Sequence, residues 1–417
     1  MKAGSYKDKG MRTFFLLLAL GCTLGVTVAC GGPSGSDDLR LTGWVSSPRE
    51  DDLVRALLAE ELPEAAELGV VYDPIQANYP EKIQLMLATR TAPDVFMLDA
   101  YLAPALASYG TLTALDPAML ANADVEDFEP RLLDAFRQDG RLYGLPKDYS
   151  TVALFYNPDA LAEVGLDRPP ANWEELEEWA ERLTLDRDGD GRTDRYGLGI
   201  DAGLDFLLPF IWQNGGELIS EDGRLRTDDA GANGAIAWIR DLQQQGIATF
   251  PKDVGAAWNM DAFGRGTVAM TTSGYFAISF LDATFPDTPY RVAPLPIGKE
   301  NATLAFVVGY VMPQQLRHPE KARRLLELLT SRRAQAYWSD LGIGLPPRRS
   351  VVAEKVAPGS PAAVFTEAAG HARIWQFGKE QRLVDEIQTA LQAIYLTETP
   401  IRESLDNAAR RLERLGQ

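Results

Sequence analysis

The strongest constraint on this chain's fold is an early alternation of short apolar runs with segments of helical spacing. Leu39, Leu41, Gly43 and Val45 alternate with Arg40, Thr42 and Trp44, the two-residue period of a strand. Glu50 to Leu62 then carries Leu53, Val54, Leu57, Leu58 and Leu62 on one helical face. Val70-Val71-Tyr72 reads as a second strand, and Tyr79 to Thr89, with Ile83, Leu85, Met86 and Leu87, as a second helix. Ala92-Pro93-Asp94 breaks it, and Val95-Phe96-Met97-Leu98 is apolar on both faces. Strands without a polar face, separated by helices, predict a parallel sheet covered on both sides. Ligands of such sheets sit beyond the carboxyl ends of the strands, which puts Ser46 to Glu50 and Asp99 to Tyr101 on a candidate rim.

The same grammar continues downstream. Arg141 to Pro146 leads through a turn into an apolar strand over Thr151 to Tyr156, closed by Asn157-Pro158. Helices are predicted over 158–164, 173–183, 204–214, 230–245, 319–331, 333–341, 361–369, 380–397 and 402–415. Strands are predicted over 268–271 and as a Pro-rich pair, 290–296 with 303–312. No internal repeat is visible, so the expectation is α/β with two lobes.

The first thirty residues read as an export address. Lys2, Lys7, Lys9 and Arg12 precede an apolar core from Thr13 to Ala29, and Cys30 follows at once, before a Gly/Pro/Ser stretch. A cysteine there resembles a bacterial lipoprotein signal, in which residues 1–29 are removed, Cys30 carries lipid and 30–38 is a flexible tether. Cys22 is the weaker alternative, with a shorter apolar run before it. The expected location is the outer face of the cytoplasmic membrane, or the periplasm, with the lipid as the only membrane contact.

Charge and composition exclude several classes. The formal charge is −18, and −21 without residues 1–29, so phosphate backbones are repelled and nucleic acid is not an expected partner. Two cysteines and two histidines cannot build a disulfide scaffold or a His-based zinc cluster. No G-x-S-x-G, H-E-x-x-H or P-loop lysine motif is present.

A series of short signatures then occurs in one order: Ala92-Pro93-Asp94-Val95 before Asp99, Tyr143 to Asp148, Leu154 to Asn157, the Trp173 helix, and Trp212 to Glu217. Phe263 to Met270 with Gly274-Tyr275, Pro294-Leu295-Pro296, Gly309-Tyr310 and Leu345-Pro346 complete it. In this order the chain resembles the maltose-binding-like, family 1 extracellular solute-binding proteins that deliver sugars to ABC importers. Arg90 stands where that family often has glycine, and Tyr275 where tryptophan is commoner.

The resemblance implies a two-lobed periplasmic-binding-protein fold (type II) with the ligand cleft between lobes joined by three hinge crossings. These are expected near 148–151, 303–308 and 352–358, giving lobe 1 as 39–149 plus 309–353 and lobe 2 as 150–308 plus 354–417. It also implies a monomer that binds a mono- or oligosaccharide, partners the permease subunits of an ABC transporter, performs no catalysis and requires no cofactor. A sugar presents hydroxyl edges and apolar faces, so its site needs carboxylates or amides together with aromatic planes. The candidate ligand contacts are Ser46, Glu50, Asp99, Tyr101, Asp148, Tyr149, Phe206, Trp212, Gly274, Tyr275, Tyr310, Arg348 and Trp375. A non-sugar solute such as a polyamine or peptide, and an exported glycoside hydrolase with paired carboxylates, are the alternatives.

A second motif lies apart from these. Asp186, Asp188, Asp190 and Asp194 occupy positions 1, 3, 5 and 9 of a calcium-type loop, with Gly191 at 6 and Arg192 offering a carbonyl at 7. Position 12 is Gly197 instead of the bidentate Glu, so a structural calcium is an expectation with one strong ligand missing.

Overall fold

The computed structural model describes residues 38–44, 48–220, 223–342, 344–374, 381–397 and 399–415, all within the compact unit Asp38–Gln417. Cys30, the tether, Ser46, Trp375 and the side chain of Glu50 lie outside the described residues.

The strands are β1 (Leu39–Thr42), β2 (Val70–Tyr72), β3 (Val95–Asp99), β4 (Arg137–Gln138), β5 (Arg141–Leu142) and β6 (Gly144–Tyr156). Then come β7 (Tyr196–Gly199), β8 (Ala248–Thr249), β9 (Val268–Gly274), β10 (Arg291–Ala293), β11 (Thr303–Val311) and β12 (Ala372–Arg373). The main sheet runs β2-β1-β3-β11-β6-β9-β7-β8, with β10 on β6 and β12 on β11. Both outer thirds are parallel, β2-β1-β3 at one end and β9-β7-β8 at the other, as apolar strands between helices require. Between them β11 and β6 run antiparallel to each other and to their neighbours, β3 and β9. The sheet is therefore mixed, and the two α/β lobes are joined through this central pair.

Side-chain alternation along β6 feeds two apolar cores. Ala153 and Phe155 belong to a cluster with Phe96, Tyr310, Trp338 and Phe263. Val152, Leu154 and Tyr156 point the other way, into a cluster with Ile211, Ile236 and Leu391. Each fully buried Phe or Leu contributes roughly 1.5–3 kcal/mol.

Three local expectations differ from the structure. The predicted turn between 146 and 151 is absent: β6 is one 13-residue strand, and Lys147 is the extra residue of a β-bulge, since Val308 faces Asp148 while Gly309 faces Pro146. The segments 290–296 and 303–312 do not pair with each other; β10 and β11 both pair with β6. The helix expected over 50–62 is Pro48–Ala56 followed by a π-helical turn, Leu57–Glu61, ended by Pro63, which starts its own short helix. By contrast, Trp173–Leu183 forms as its signals demand: Asn172 Oδ1 accepts from Glu175 N at 2.9 Å, and Trp179, Leu176 and Leu183 are buried.

Candidate functional site

The site is built where β3, β11 and β6 lie side by side. Val308 of β11 is in register with Asp99 at the end of β3 and with Asp148 of β6. Residues directly opposed across a sheet share a face, so Asp99, Val308 and Asp148 form one row. Phe306 and its partner Ser150 continue that face. Val308, Phe306, Asp99 and Asp148 keep partial exposure among otherwise buried neighbours, which marks the floor of the cleft.

The second lobe supplies the facing wall. Helix Leu204–Gln213 begins at the cleft, placing Asp205 and Phe206 in its first turn. Gln388 holds that end: its Oε1 accepts from Leu204 N and its Nε2 donates to Ala202 O, both at 3.0 Å. Asp99, Tyr101, Asp205, Phe306 and Ile374 line a cavity of about 40 Å³. Tyr101 follows β3 yet packs against the second apolar cluster, so it reaches across the cleft.

An aromatic row leads away from this cavity, starting at its lining residue Phe306. Phe306 lies 6.1 Å from Phe206 and 6.3 Å from Phe276, and Phe276 stacks on Trp258 at 6.4 Å. Phe276 is 40% exposed, unusual for so large an apolar ring. Tyr275 is half-buried, edge-on to Phe365 at 5.5 Å, with its backbone N donating to Ser150 Oγ at 2.7 Å. Gly274 is required here because a Cβ would stand 2.4 Å from the Phe276 ring and 2.6 Å from Ser150 Oγ. The close approach that this glycine permits is to the chain's own atoms.

The electrostatics are one-signed. Burial, then the like charges of Asp148 and Asp205, push the Asp99 carboxyl up to about 7. Burial and Asp201 push Asp205 up to about 6. Burial also raises the hydroxyl pKa of Tyr101 and Tyr275. Asp148 pairs with Lys147, whose ammonium lies 4.6 Å from the Trp338 ring centroid in a buried position.

Asp99, Tyr101, Asp148, Phe206, Gly274 and Tyr275 are thus gathered around the cleft. Four other expected contacts are not available to a ligand. Tyr310 is fully buried in the first apolar core, and Tyr149 is buried where its backbone bridges to Leu345. Trp212 is buried, with the Arg373 guanidinium 4.7 Å over its ring. Arg348 is 3% exposed; it donates to Thr330 O, Asp124 O and Ala123 O and lies 4.1 Å over Phe128, so its fork is already occupied. Sequence reasoning missed Asp205, Phe306, Phe276 and Trp258. Three of them adjoin signals that could have found them: Phe306 shares a strand with Gly309-Tyr310, Phe276 follows Gly274-Tyr275, and Asp205 precedes Phe206.

Away from the cleft, the carboxylates of Asp186, Asp188 and Asp194 lie within 4.8 Å of one another on the surface and could hold a cation; Asp190 is outside this group. Asp186 accepts from Gly189 N and Gly191 N, Asp188 from Asp190 N, and Asp190 from Arg192 N. The missing twelfth ligand has a packing cause. Gly197 belongs to β7, and a Cβ there would stand 1.9 Å from Ala180 O of the Trp173–Leu183 helix. No side chain, least of all a bidentate Glu, fits at that position.

The profile of the bacterial extracellular solute-binding proteins matches residues 62–336. The chain belongs to this family. It is 26% identical over 290 residues to a binding protein of Brucella abortus (strain 2308), covering 65% of this chain and 68% of that one. It is 24% identical over 382 residues to the galactooligosaccharide-binding protein of Bacillus subtilis (strain 168), covering 87% and 84%. The fold matches an ABC substrate-binding protein of Listeria monocytogenes in complex with cycloalternan, with a TM-score of 0.78, 19% identity and coverage of 91% and 98%. The members named here are binding proteins, and among the described residues of this solute-binding chain no helix is long and apolar enough to cross a membrane.

Proposed function

We propose that this chain is the ligand-binding component of an ABC importer, taking a mono- or oligosaccharide reversibly between its lobes without chemical change. The observation that carries the reading is the cleft itself: carboxylates of Asp99 and Asp205 from opposite lobes, bordered by the row Phe206, Phe306, Phe276 and Trp258. Carboxylates accept from hydroxyls, and aromatic planes cover the apolar faces of a sugar ring. The named ligands of the Bacillus and Listeria proteins, both oligosaccharides, support the same class.

The present cavity of about 40 Å³ has room for a few waters, well short of the ~300 Å³ of a small-molecule pocket, so a sugar ring enters only when the lobes separate further. The central strands β6 and β11, with the link between helices Arg349–Lys355 and Pro361–Ala368, are the proposed hinge. In this reading lobe 1 comprises 39–149 plus 309–353 and lobe 2 comprises 150–308 plus 354–417. The monomer is exported, anchored through Cys30, and hands its ligand to permease subunits. No cofactor is needed; calcium at Asp186, Asp188 and Asp194 would be structural, and a millimolar calcium titration that leaves the melting temperature unchanged removes it.

Tryptophan fluorescence of the full chain against sugars, amino acids, peptides and polyamines tests the assignment. A sugar should shift the signal at micromolar concentration, roughly −8 kcal/mol of binding free energy. A response to peptides alone ends the sugar reading. Two carboxylates lining one cavity would also suit glycoside hydrolysis. Release of reducing ends from a bound oligosaccharide at enzyme-like rates would favour that second reading.

A further inference from the structure

The cavity between Asp99 and Asp205 is out of charge balance in a way that a neutral sugar does not repair. Asp99 and Asp205 are both half-buried, each keeping part of its surface open to the cleft. Both line the same cavity, yet among the described residues neither carboxylate has a hydrogen-bond donor or a cation; the influences on them are burial and like charge. Among the described residues, the charged groups acting on the pair are the carboxylates of Asp148 and Asp201, and the nearby Tyr79 and Tyr101 are neutral. Lys147 is committed to Asp148 and Trp338, and Arg373 to Glu217 and Trp212. The free amide that the helix end could offer at Leu204 is taken by Gln388 Oε1.

We infer that this cavity receives a protonated amine, so that the preferred ligand is a sugar bearing an amino substituent whose ammonium sits between Asp99 of one lobe and Asp205 of the other. The inference rests on the sugar reading above and narrows it. Its basis is size, donors and charge together. The cavity of about 40 Å³ admits an ammonium group together with water, and is too small for a sugar ring. An ammonium brings three donors and one positive charge to two acceptor-only groups, whereas a hydroxyl brings one donor and leaves the charges uncompensated. Because the two carboxylates come from different lobes, a cation between them favours the closed state over the open one, which is what a closure-driving ligand must do. A neutral ligand must instead leave one carboxyl protonated.

The two cases differ in pH dependence. Asp99 near 7 and Asp205 near 6 are partly protonated at neutral pH, and a cation draws them into the ionised form with release of protons. Affinity for an amine therefore rises from pH 4.5 to 6.5, a range in which an amino-sugar ammonium (pKa roughly 7.5, close to that of an α-amino group) keeps its proton, while affinity for a neutral sugar stays level or falls. Titration calorimetry on the full chain should compare chitobiose (the free-amine glucosamine dimer), its N-acetylated form, cellobiose, maltotriose and spermidine at pH 4.5, 5.5 and 6.5. At pH 6.5 the free-amine disaccharide should bind at least tenfold more tightly than either neutral counterpart, with the preference shrinking severalfold at pH 4.5. Asp205→Asn, checked for an unchanged circular dichroism spectrum, should reduce the preference below threefold, and Asp99→Asn should do the same. Equal or tighter binding of the neutral disaccharides at pH 6.5 overturns the inference and leaves the sugar assignment standing. Spermidine binding alone, with no sugar of either kind, overturns both. The wild-type pH profile needs no variant, so a folding defect in either substitution does not rescue the idea.

Discussion

At the scale of single residues, two side chains with similar prospects in the sequence have opposite roles. Arg348 satisfies three backbone carbonyls and contacts Asp127 from a nearly sealed position. Replacing it by Ala orphans those groups, so Arg348→Ala should cost about 3 kcal/mol or more in chemical denaturation while sugar affinity of the folded protein is unchanged. Tyr275 is half-buried beside the aromatic row and faces the opposite lobe, where a Cβ on Gly342 would lie 4.0 Å from its hydroxyl. Tyr275→Ala should weaken ligand binding by ~1–2 kcal/mol, read by fluorescence titration, with a smaller effect on stability.

At the scale of elements, helix ends and helix–strand contacts set the tolerances. Helix Tyr79–Ala88 ends in a Schellman turn: Thr91 N donates to Met86 O and Arg90 N to Leu87 O, and Arg90 sits at φ +59°. This is the position where the family often has glycine, and the left-handed backbone explains why. Arg90→Gly should raise stability by roughly 0.5–1 kcal/mol, seen as a higher urea midpoint at constant slope. Gly197 has the reverse logic, because β7 touches the backbone of the Trp173–Leu183 helix there. Gly197→Ala should destabilise by about 2–3 kcal/mol, and a melting temperature equal to the wild type's would refute this packing.

At the scale of the molecule, acidity in the cleft couples to folding. Asp99 and Asp205 have folded-state values of about 7 and about 6, above those of free carboxylates, so the folded chain binds these protons more tightly than the unfolded one. That contribution is complete below about pH 4, where the unfolded carboxylates also hold protons, and is lost as pH rises through 6 and 7. The ligand-free protein should therefore melt several degrees lower at pH 8 than at pH 5, with a flatter profile in Asp99→Asn. A melting temperature that rises over this range contradicts the enclosure of Asp99.

Periodicity, caps and ordered short motifs are local signals, so the α/β class, the helix over Trp173–Leu183 to the residue, the parallel strands β2, β1 and β3 and the family are legible along the chain, whereas β7 and β8 are not. Asp99 and Tyr101, after a strand end, and Phe206, in a first helical turn, are legible from neighbours along the chain, whereas Asp148 lies in mid-strand where a turn was expected. Which aromatics line the cleft and which are core depends on packing between segments far apart in the chain. Tyr310 and Trp212 look as suitable as Phe306 and Phe276 in sequence, yet the first pair is buried under packed helices and the second pair faces the gap. Asp205 escaped notice because its importance comes from Asp99, 106 positions away, whose carboxylate shares its cavity. The bulge at Lys147, which turns an expected hinge turn into a continuous strand and aligns Asp148 with Asp99 across Val308, is a property of register between three strands. Register depends on partners that no single stretch of sequence contains.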